Sequence, residues 1–536
     1  MKKVLFILLG CLLSFNVMAQ VKAISGLVTD VTGEPVIGAS VVEVGTTNGV
    51  ITDLNGKFSL KVAPNSQFLV SYIGYKQQTI KVGSESTYNI VLKEDAEVLD
   101  EVVVVGYGSQ KKVNVTGAVG MVGAEALEAR PVANASQALQ GVVPGLNLTV
   151  GNNGGALDGT LNMNIRGAGT IGDGSGSSPL VLIDGIEGDL NTVNPNDIES
   201  VSVLKDAASA SIYGARASFG VILVTTKSGK SGKTNVSYSG SARFSDAIGV
   251  PDIMDSYTFA QYFNRASANK GGGDIFAPAV MERIKAYQEG TLKATTVDNG
   301  AGIWQKWANA NGDTDWFEEF YDHWAPSQEH NLSINGGTDK TQYLISGSFL
   351  DQKGLMRHGK DKFQRYTLNG KITTAVTDWF KVTYSTKWTR EDFERPSYLT
   401  GNFFHNLARK WPVHPAYDPN GFPMDEGEVE QMENGGKQNS QKDFYTNQLQ
   451  LVFEPIKNWK INLDGSVRTT TQYQHWEVLP VYAYNVAGDP YYTVWDMGYG
   501  SYAAGSSRVN EYSWKENYYT TNIYSDYFKQ FDNGHY

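Results

Sequence analysis

The chain has almost no cysteine, few histidines and no long apolar run beyond its first residues. Its single cysteine among 536 residues, Cys11, falls in the segment that opens the chain. That segment carries Lys2 and Lys3, an apolar run over residues 4–13, and then Val17 and Ala19 at small-residue cleavage spacing. It reads as a secretory signal peptide, residues 1–19, cut after Ala19. Leu8-Leu9-Gly10-Cys11 loosely matches a lipoprotein cleavage box, but a cut there would leave an apolar run of only residues 4–10. The exported chain then forms no disulfides. The 7 histidines are scattered with no HExxH-type spacing, so no metal ligand set is expected. No nucleophile, base and orienter can be grouped, which argues against an enzyme, and no cofactor is implied. A net charge of −11 argues against nucleic acid as a partner.

What is abundant is tyrosine (29), glycine (57) and aromatics in general, at 12 %, while charged residues are held to 19 %. After the leader no apolar run reaches transmembrane-helix length. An exported chain of this texture is either soluble and all-β or a membrane β-barrel. Its length allows two or more domains.

Residues 23–93 contain about six short alternating runs, separated by turn signals such as Gly33-Glu34-Pro35 and Asn55-Gly56. They predict a small β-sandwich. Asp53, Asn55 and Gly56 have the opening spacing of a calcium loop but lack the acidic twelfth position, so a hairpin turn is expected. Residues 94–112 form a linker. It is acidic at first and then carries Val102, Val103, Val104 and Val105 between Asp100-Glu101 and Gly106-Tyr107. Four β-branched residues favour extended backbone. Two readings stand: a buried strand of a neighbouring domain, or a tethered strand offered to another protein's sheet edge.

Residues 113–228 are mixed and glycine-rich. Short helices are expected at 136–139 and 205–213, the second stopped by Gly214, with strands at 163–166, 180–184, 198–204 and 219–226. A small α+β domain follows. Gly167 to Gly172 match GxGxxG, but no helix signal comes after them, so a glycine-rich loop is expected rather than a phosphate cradle.

From residue 234 to 536 the pattern is of roughly ten-residue strands with one apolar and one polar face. In one, Phe380, Val382 and Tyr384 oppose Lys381, Thr383 and Ser385; in another, Ile461, Leu463 and Val467 oppose Asp464, Ser466 and Arg468. Eight such segments alternate between tight turns and long inserts, roughly 245–327, 391–442 and 473–510. This is the signature of a barrel wall with lipid outside and a polar lumen; a soluble sandwich with one wet face is the alternative. Asp418, Asn420, Asp425, Glu426, Glu428 and Glu430 form an acidic stretch read as a solvated loop rather than a calcium site. Eight strands close only a barrel filled by its own side chains, and the chain stops near Asn533-Gly534, a hairpin signal. The sequence therefore reads as the N-terminal part of a longer, incomplete transmembrane antiparallel barrel.

The ordered features resemble the SusC/RagA family of TonB-dependent outer-membrane transporters. Residues 24–75 resemble that family's carboxypeptidase-regulatory-like module, DEVVVVGYG at 100–108 its TonB-contacting segment, and LQGVVPGL at 139–146 its LQG-x-VPGL plug motif. Val142 stands where a basic residue is common. Ile165-Arg166-Gly167 and residues 182–230 resemble the second half of the plug. The resemblance implies that Asp100 to Tyr107 contact TonB. It also implies that Gly141, Pro144, Gly145, Arg166, Gly167, Asp184, Gly185 and Arg216 have structural or gating roles in the plug. It further implies outer-membrane localisation, TonB with its inner-membrane energising complex, and a SusD-like lipoprotein lid as partners. The expected function is import of an oligosaccharide, or alternatively a peptide. A non-transporting adhesin or receptor, or the appendage of a secreted peptidase, are the rival readings.

Overall fold

The computed structural model describes residues 22–46, 48–64, 66–72, 75–93, 102–105, 108–111, 119–128, 130, 132–150, 157, 161–167, 178–493, 495–496, 501–502 and 505–528. The signal-peptide segment, Asp100, Glu101, Gly106, Tyr107 and most of the GxGxxG stretch lie outside these residues.

The first unit has seven strands where the periodicity predicts six. One sheet holds β1 (Lys22–Thr29) between β4 (Lys57–Val62) and β7 (Thr87–Val91). The other runs β3 (Gly49–Ile51), β2 (Ser40–Glu43), β5 (Gln67–Ser71) and β6 (Gln78–Lys81). The three-residue β3 escapes the sequence reading because it is too short to alternate. In β4 every second side chain is buried, so Phe58, Leu60 and Val62 meet Ile24, Phe68 and Ile90 between the sheets. Gly26 is required by close approach: a Cβ there would lie 2.2 Å from the Tyr88 carbonyl oxygen. The Asp53 carboxylate accepts from the Asn55 and Lys57 amides, both at 2.9 Å, and so builds a turn rather than an ion loop. After this module β8 (Val102–Val105) pairs with β9 (Gly108–Lys111) in a two-stranded sheet of their own.

The α+β domain is built on the sheet order β10-β15-β16-β13-β14: β10 (Val119–Gly123), β13 (Leu180–Ile183), β14 (Ile186–Glu187), β15 (Ile198–Leu204) and β16 (Val221–Thr226). β11 (Leu146–Val150) and β12 (Leu161–Ile165) form a separate pair. β13 is buried along its whole length, as the continuous apolar run LVLI requires beside a parallel partner. The helix expected over 205–213 is shorter. Asp206 caps one α-turn, Ala207–Ala210, and the chain then tightens into a 3₁₀ segment with Gly214 at φ 64°.

The eight long strands pair strictly in sequence order, all antiparallel. They are β17 (Gly232–Ser245), β18 (Ala325–Gly337), β19 (Thr341–Lys353), β20 (Lys362–Thr377), β21 (Phe380–Pro396), β22 (Lys437–Ile456), β23 (Trp459–Val478) and, after two small hairpins, β28 (Arg508–Tyr527). The hairpins are β24 (Tyr482–Tyr484) with β25 (Pro490–Tyr492), and β26 (Trp495–Asp496) with β27 (Ser501–Tyr502). β17 and β28 pair on one side only, so the sheet is open, an incomplete barrel. No described strand of the α+β domain joins it. Phe380, Val382 and Tyr384 lie on the face away from that domain, with Ile461, Leu463 and Val467. Ser385, Lys387, Ser466 and Arg468 alternate with them and face it. Exposed Ile345, Leu368, Leu449 and Ile523 extend the outward apolar belt. Phe380 stacks on Phe453 at 4.7 Å beside Trp379, at the short-turn end.

The long inserts are folded rather than irregular. They carry the helices Ser256–Asn269, Pro278–Gln288, Trp316–Phe320, Gly401–Leu407 and Val429–Asn434 around two apolar clusters. The acidic stretch is correspondingly not a solvated loop. Asp418, Glu428 and Glu430 are buried, and Asp418 accepts from the Asn420 and Phe422 amides at 2.9 and 3.0 Å.

Candidate functional site at the seam between domain and wall

The α+β domain meets the inner face of the wall through polar groups. Asp184 and Gly185 are the two loop residues between β13 and β14, with φ of 50° and 84°. Positive φ at both central positions is the two-residue hairpin geometry that Asp-Gly favours. It presents the Asp184 carboxylate to the Thr226 amide at 2.9 Å, the Thr226 hydroxyl at 2.6 Å, and the Lys387 ammonium of β21. The Asp184 carbonyl accepts from Gln448 Nε2 of β22 at 3.0 Å. Burial alone would raise the Asp184 pKa, but Lys387 and Lys371 outweigh it and hold the carboxyl well below the usual range.

The same face continues around the domain. Arg216 donates to Glu187 at 3.1 Å and to the Tyr518 hydroxyl of β28 at 3.2 Å. Arg468 of β23 donates to the Glu187 carbonyl, and Asn369 of β20 to Asp197. Burial pushes the Asp197 carboxyl up. Arg365 of β20 is 1 % exposed and reaches Asn134 Oδ1 at 2.8 Å and the carbonyls of Asn191 and Ala133 at 2.7 and 2.5 Å. A cavity of about 340 Å³ lies along this seam, walled by Glu187, Asp197, Lys371, Lys387 and Arg468 among others.

The structure therefore brings Asp184, Gly185 and Arg216 together against the wall. It places Gly141, Pro144, Gly145, Arg166 and Gly167 in a separate turn. Gly141 and Gly145 have φ of 73° and 82°, Arg166 and Gly167 of 60° and 98°. The Arg166 amide donates to the Gly145 carbonyl at 2.8 Å, and the Arg166 side chain is exposed. Arg365, Lys387, Gln448 and Arg468 are seam residues that motif reasoning misses. Their signal is polar alternation: Arg365, Thr367, Asn369 and Lys371 share one strand face. The seam is made of hydrogen bonds and ion pairs between domain and wall; it can grip, and it can release to water. Among the described residues no three His, Cys, Asp or Glu side chains are grouped as metal ligands.

The TonB-dependent Receptor Plug Domain family matches residues 111–221, and the CarboxypepD_reg-like domain matches residues 24–104. The chain is 35 % identical over 377 residues to the TonB-dependent receptor SusC of Bacteroides thetaiotaomicron, covering 68 % of this chain and 33 % of that receptor. It is 32 % identical over 414 residues to the TonB-dependent receptor P39 of Formosa agariphila, covering 76 % and 36 %. It thus spans about a third of the length of these curated relatives. Among solved structures, the RagAB peptide importer in its open-open state superposes with a TM-score of 0.56 at 26 % identity, over 71 % of this chain and 43 % of that one.

Proposed function

Because this chain belongs to the SusC/RagA family of TonB-dependent outer-membrane receptors, transport proteins rather than enzymes, we propose that it acts in energised import of a nutrient across the outer membrane. The observation that carries this reading is the seam. The plug is seated on the inner face of an amphipathic wall by hydrogen bonds and ion pairs, among them Lys387–Asp184 and Arg365–Asn134. Polar contacts of this kind exchange with water when the plug moves, whereas an apolar core would resist.

TonB is the proposed energy source, reading the segment Asp100 to Tyr107. The β8 strand supports this, because among the described residues it lies outside the sheets of both neighbouring domains and pairs with β9 alone. Strand addition there would supply about four backbone hydrogen bonds of about 1 kcal/mol each, enough for a transient grip. A SusD-like lipoprotein lid is the proposed outer partner. An oligosaccharide is the first candidate cargo. A peptide is the second, favoured by the likeness to the RagAB peptide importer.

Proline at position 103 or 104 tests the coupling. Proline removes an N–H and fixes φ, so Val103→Pro should abolish uptake while abundance and substrate binding in the intact protein persist. Val104→Ile should be nearly silent. Uptake that survives proline at both positions would remove the segment from the coupling path.

A further inference from the structure

The plug sheet has two unlike edges. Among the described strands β14 forms one edge and β10 the other. The β14 edge is anchored to four wall strands. Asp184 of its hairpin pairs with Lys387 of β21, and the Asp184 carbonyl accepts from Gln448 of β22. The Glu187 carbonyl accepts from Arg468 of β23, and Arg216 beside it donates to Tyr518 of β28.

The β10 edge faces two clefts instead. The short helix Ala124–Glu128 follows β10 directly. Its Ala124 lines a cleft of about 560 Å³ against β17, β18 and β19, and its Leu127 lines one of about 290 Å³ against β17 and β18. The clefts share Asn196, Ser239 and Asn331 as walls, so they adjoin.

The wall itself differs between the two sides. Across β17 and β18 the register pairs Asn235 with Asn335, Ser237 with Ser333, and Ser239 with Asn331. These three rows line the clefts and carry no charge over about 13 Å of strand. The plug meets them through one neutral amide on another, Asn194 donating to Asn331. A neutral hydrogen bond exchanges for water at little net cost, whereas parting a buried ion pair strands two charges. The stronger grip therefore lies at the β14 edge. Chain order places the valine segment on the weaker side. β10 is the first described plug strand after β8 and β9, and a five-residue register with β15 is its only described strand pairing. Tension applied at Val102 to Val105 reaches β10 and Ala124–Glu128 before it reaches any anchored element.

We propose that the plug is hinged at its β14 edge and opens at its β10 edge, so that the two clefts merge into a passage along the neutral faces of β17 and β18. The proposal rests on the import reading for the source of the pull, and adds to it the side on which plug and wall part. Amides and hydroxyls lining such a passage release a polar solute as readily as water.

The test uses the full-length protein in lipid nanodiscs with two pairs of spin labels at exposed positions. Glu125→Cys with Val236→Cys spans the β10 edge, and Ile212→Cys with Tyr519→Cys spans the β14 edge. The first pair should lose its distance at about 1 M lower urea than the second. Loss of both together, or of the second pair first, overturns the hinge. In cells, a reducible bifunctional thiol reagent that bridges Asn194→Cys to Asn331→Cys should lower uptake from a mixture of oligosaccharides and peptides about tenfold or more, and reduction should restore it. On the anchored side the Thr389 hydroxyl donates to the Thr192 carbonyl at 3.1 Å. A bridge from Thr192→Cys to Thr389→Cys should leave uptake near the parent value. Uptake stopped by both bridges, by neither, or by the second alone overturns the passage. Val103→Pro, measured alongside, separates the two readings. Uptake that is absent in the parent or indifferent to proline sinks the import reading alone, and the urea order then decides the hinge.

Discussion

Lys387, on the inner face of β21, is ion-paired with Asp184 in the plug hairpin, and the two side chains are only 21 % and 9 % exposed. The pair joins residues 203 apart in sequence. Lys387→Met would leave the Asp184 carboxylate buried with the Thr226 amide and hydroxyl and the charge of Lys371 but without its ion-pair partner, a loss of about 3–5 kcal/mol for a broken buried pair. Asp184→Asn should cost less, because it removes the charge that needs the lysine. The double variant should be more stable than the sum of the singles implies. Urea titration of the intact protein with a spin label on the plug measures all three. Strict additivity would show that the pair is not coupled.

Arg365 is the companion contact. Its guanidinium fork spans three acceptors of the plug, Ala133, Asn134 and Asn191, which a lysine ammonium cannot match in one geometry. Charge-assisted hydrogen bonds are worth about 1.5–3 kcal/mol each, so Arg365→Ala should loosen the plug by about 3 kcal/mol or more, and Arg365→Lys should recover only part of it. Limited proteolysis around residues 130–140 in membranes reads the loosening. Cleavage indistinguishable from the parent would assign Arg365 to the wall alone.

The wall was legible because one-face alternation, as in Phe380, Val382 and Tyr384, survives without knowledge of partners. The contacts that seat the plug were not. Arg365 and Asn134 are 231 residues apart, and periodicity shows that Arg365 faces inward without showing what it meets. The insertion helices were lost for a different reason. Ser256–Asn269 buries its apolar face among the insertions, against Phe276 of its own and Trp411 of the next, and Asp255 caps it by accepting from the Thr258 amide at 3.0 Å. Between period-two strands that signal reads as loop. The helix after Lys205 is short because the α-turn gives way at Ala210 to a 3₁₀ segment kinked at Gly214, a change of helix type that composition does not announce.

The outward face makes the next prediction. Val382 and Leu463 lie on the apolar side of the wall, opposite the plug. Arginine at either position should cost about 2–4 kcal/mol if the site sits at mid-bilayer, falling toward zero near the interfaces. Arginine at Thr383 or Asn462, on the inward face, should cost far less. Folding titrations into lipid vesicles give the comparison. Equal costs on both faces would contradict a lipid-facing wall.

His358 makes the insertions sensitive to pH. It is 6 % exposed in the loop between β19 and β20, and its two ring nitrogens reach different insertions: Nε2 to Glu319 at 2.9 Å and Nδ1 to Glu433 at 2.7 Å. Phe320 meets the ring edge-on at 5.5 Å. Burial lowers the His358 pKa, but the hydrogen bonds that the ring donates to Glu319 and Glu433 outweigh it and raise the pKa above its ordinary 6.5. Tyr417, beside Glu319, is pushed up to about 12 by burial and that carboxylate, so it does not titrate nearby. A raised folded value means that the stabilisation is fully present below the unfolded pKa, about 6.5, and is lost as pH climbs through the higher folded value. Spin labels on the helices Trp316–Phe320 and Val429–Asn434 should therefore hold a narrow distance distribution at about pH 6 and a broader one at about pH 8.5. His358→Gln cannot donate from both sides of a ring, so its distribution should be broad at both pH values. A narrow distribution in His358→Gln, or a parent protein indifferent to pH, would show that the insertions are held by their apolar clusters alone.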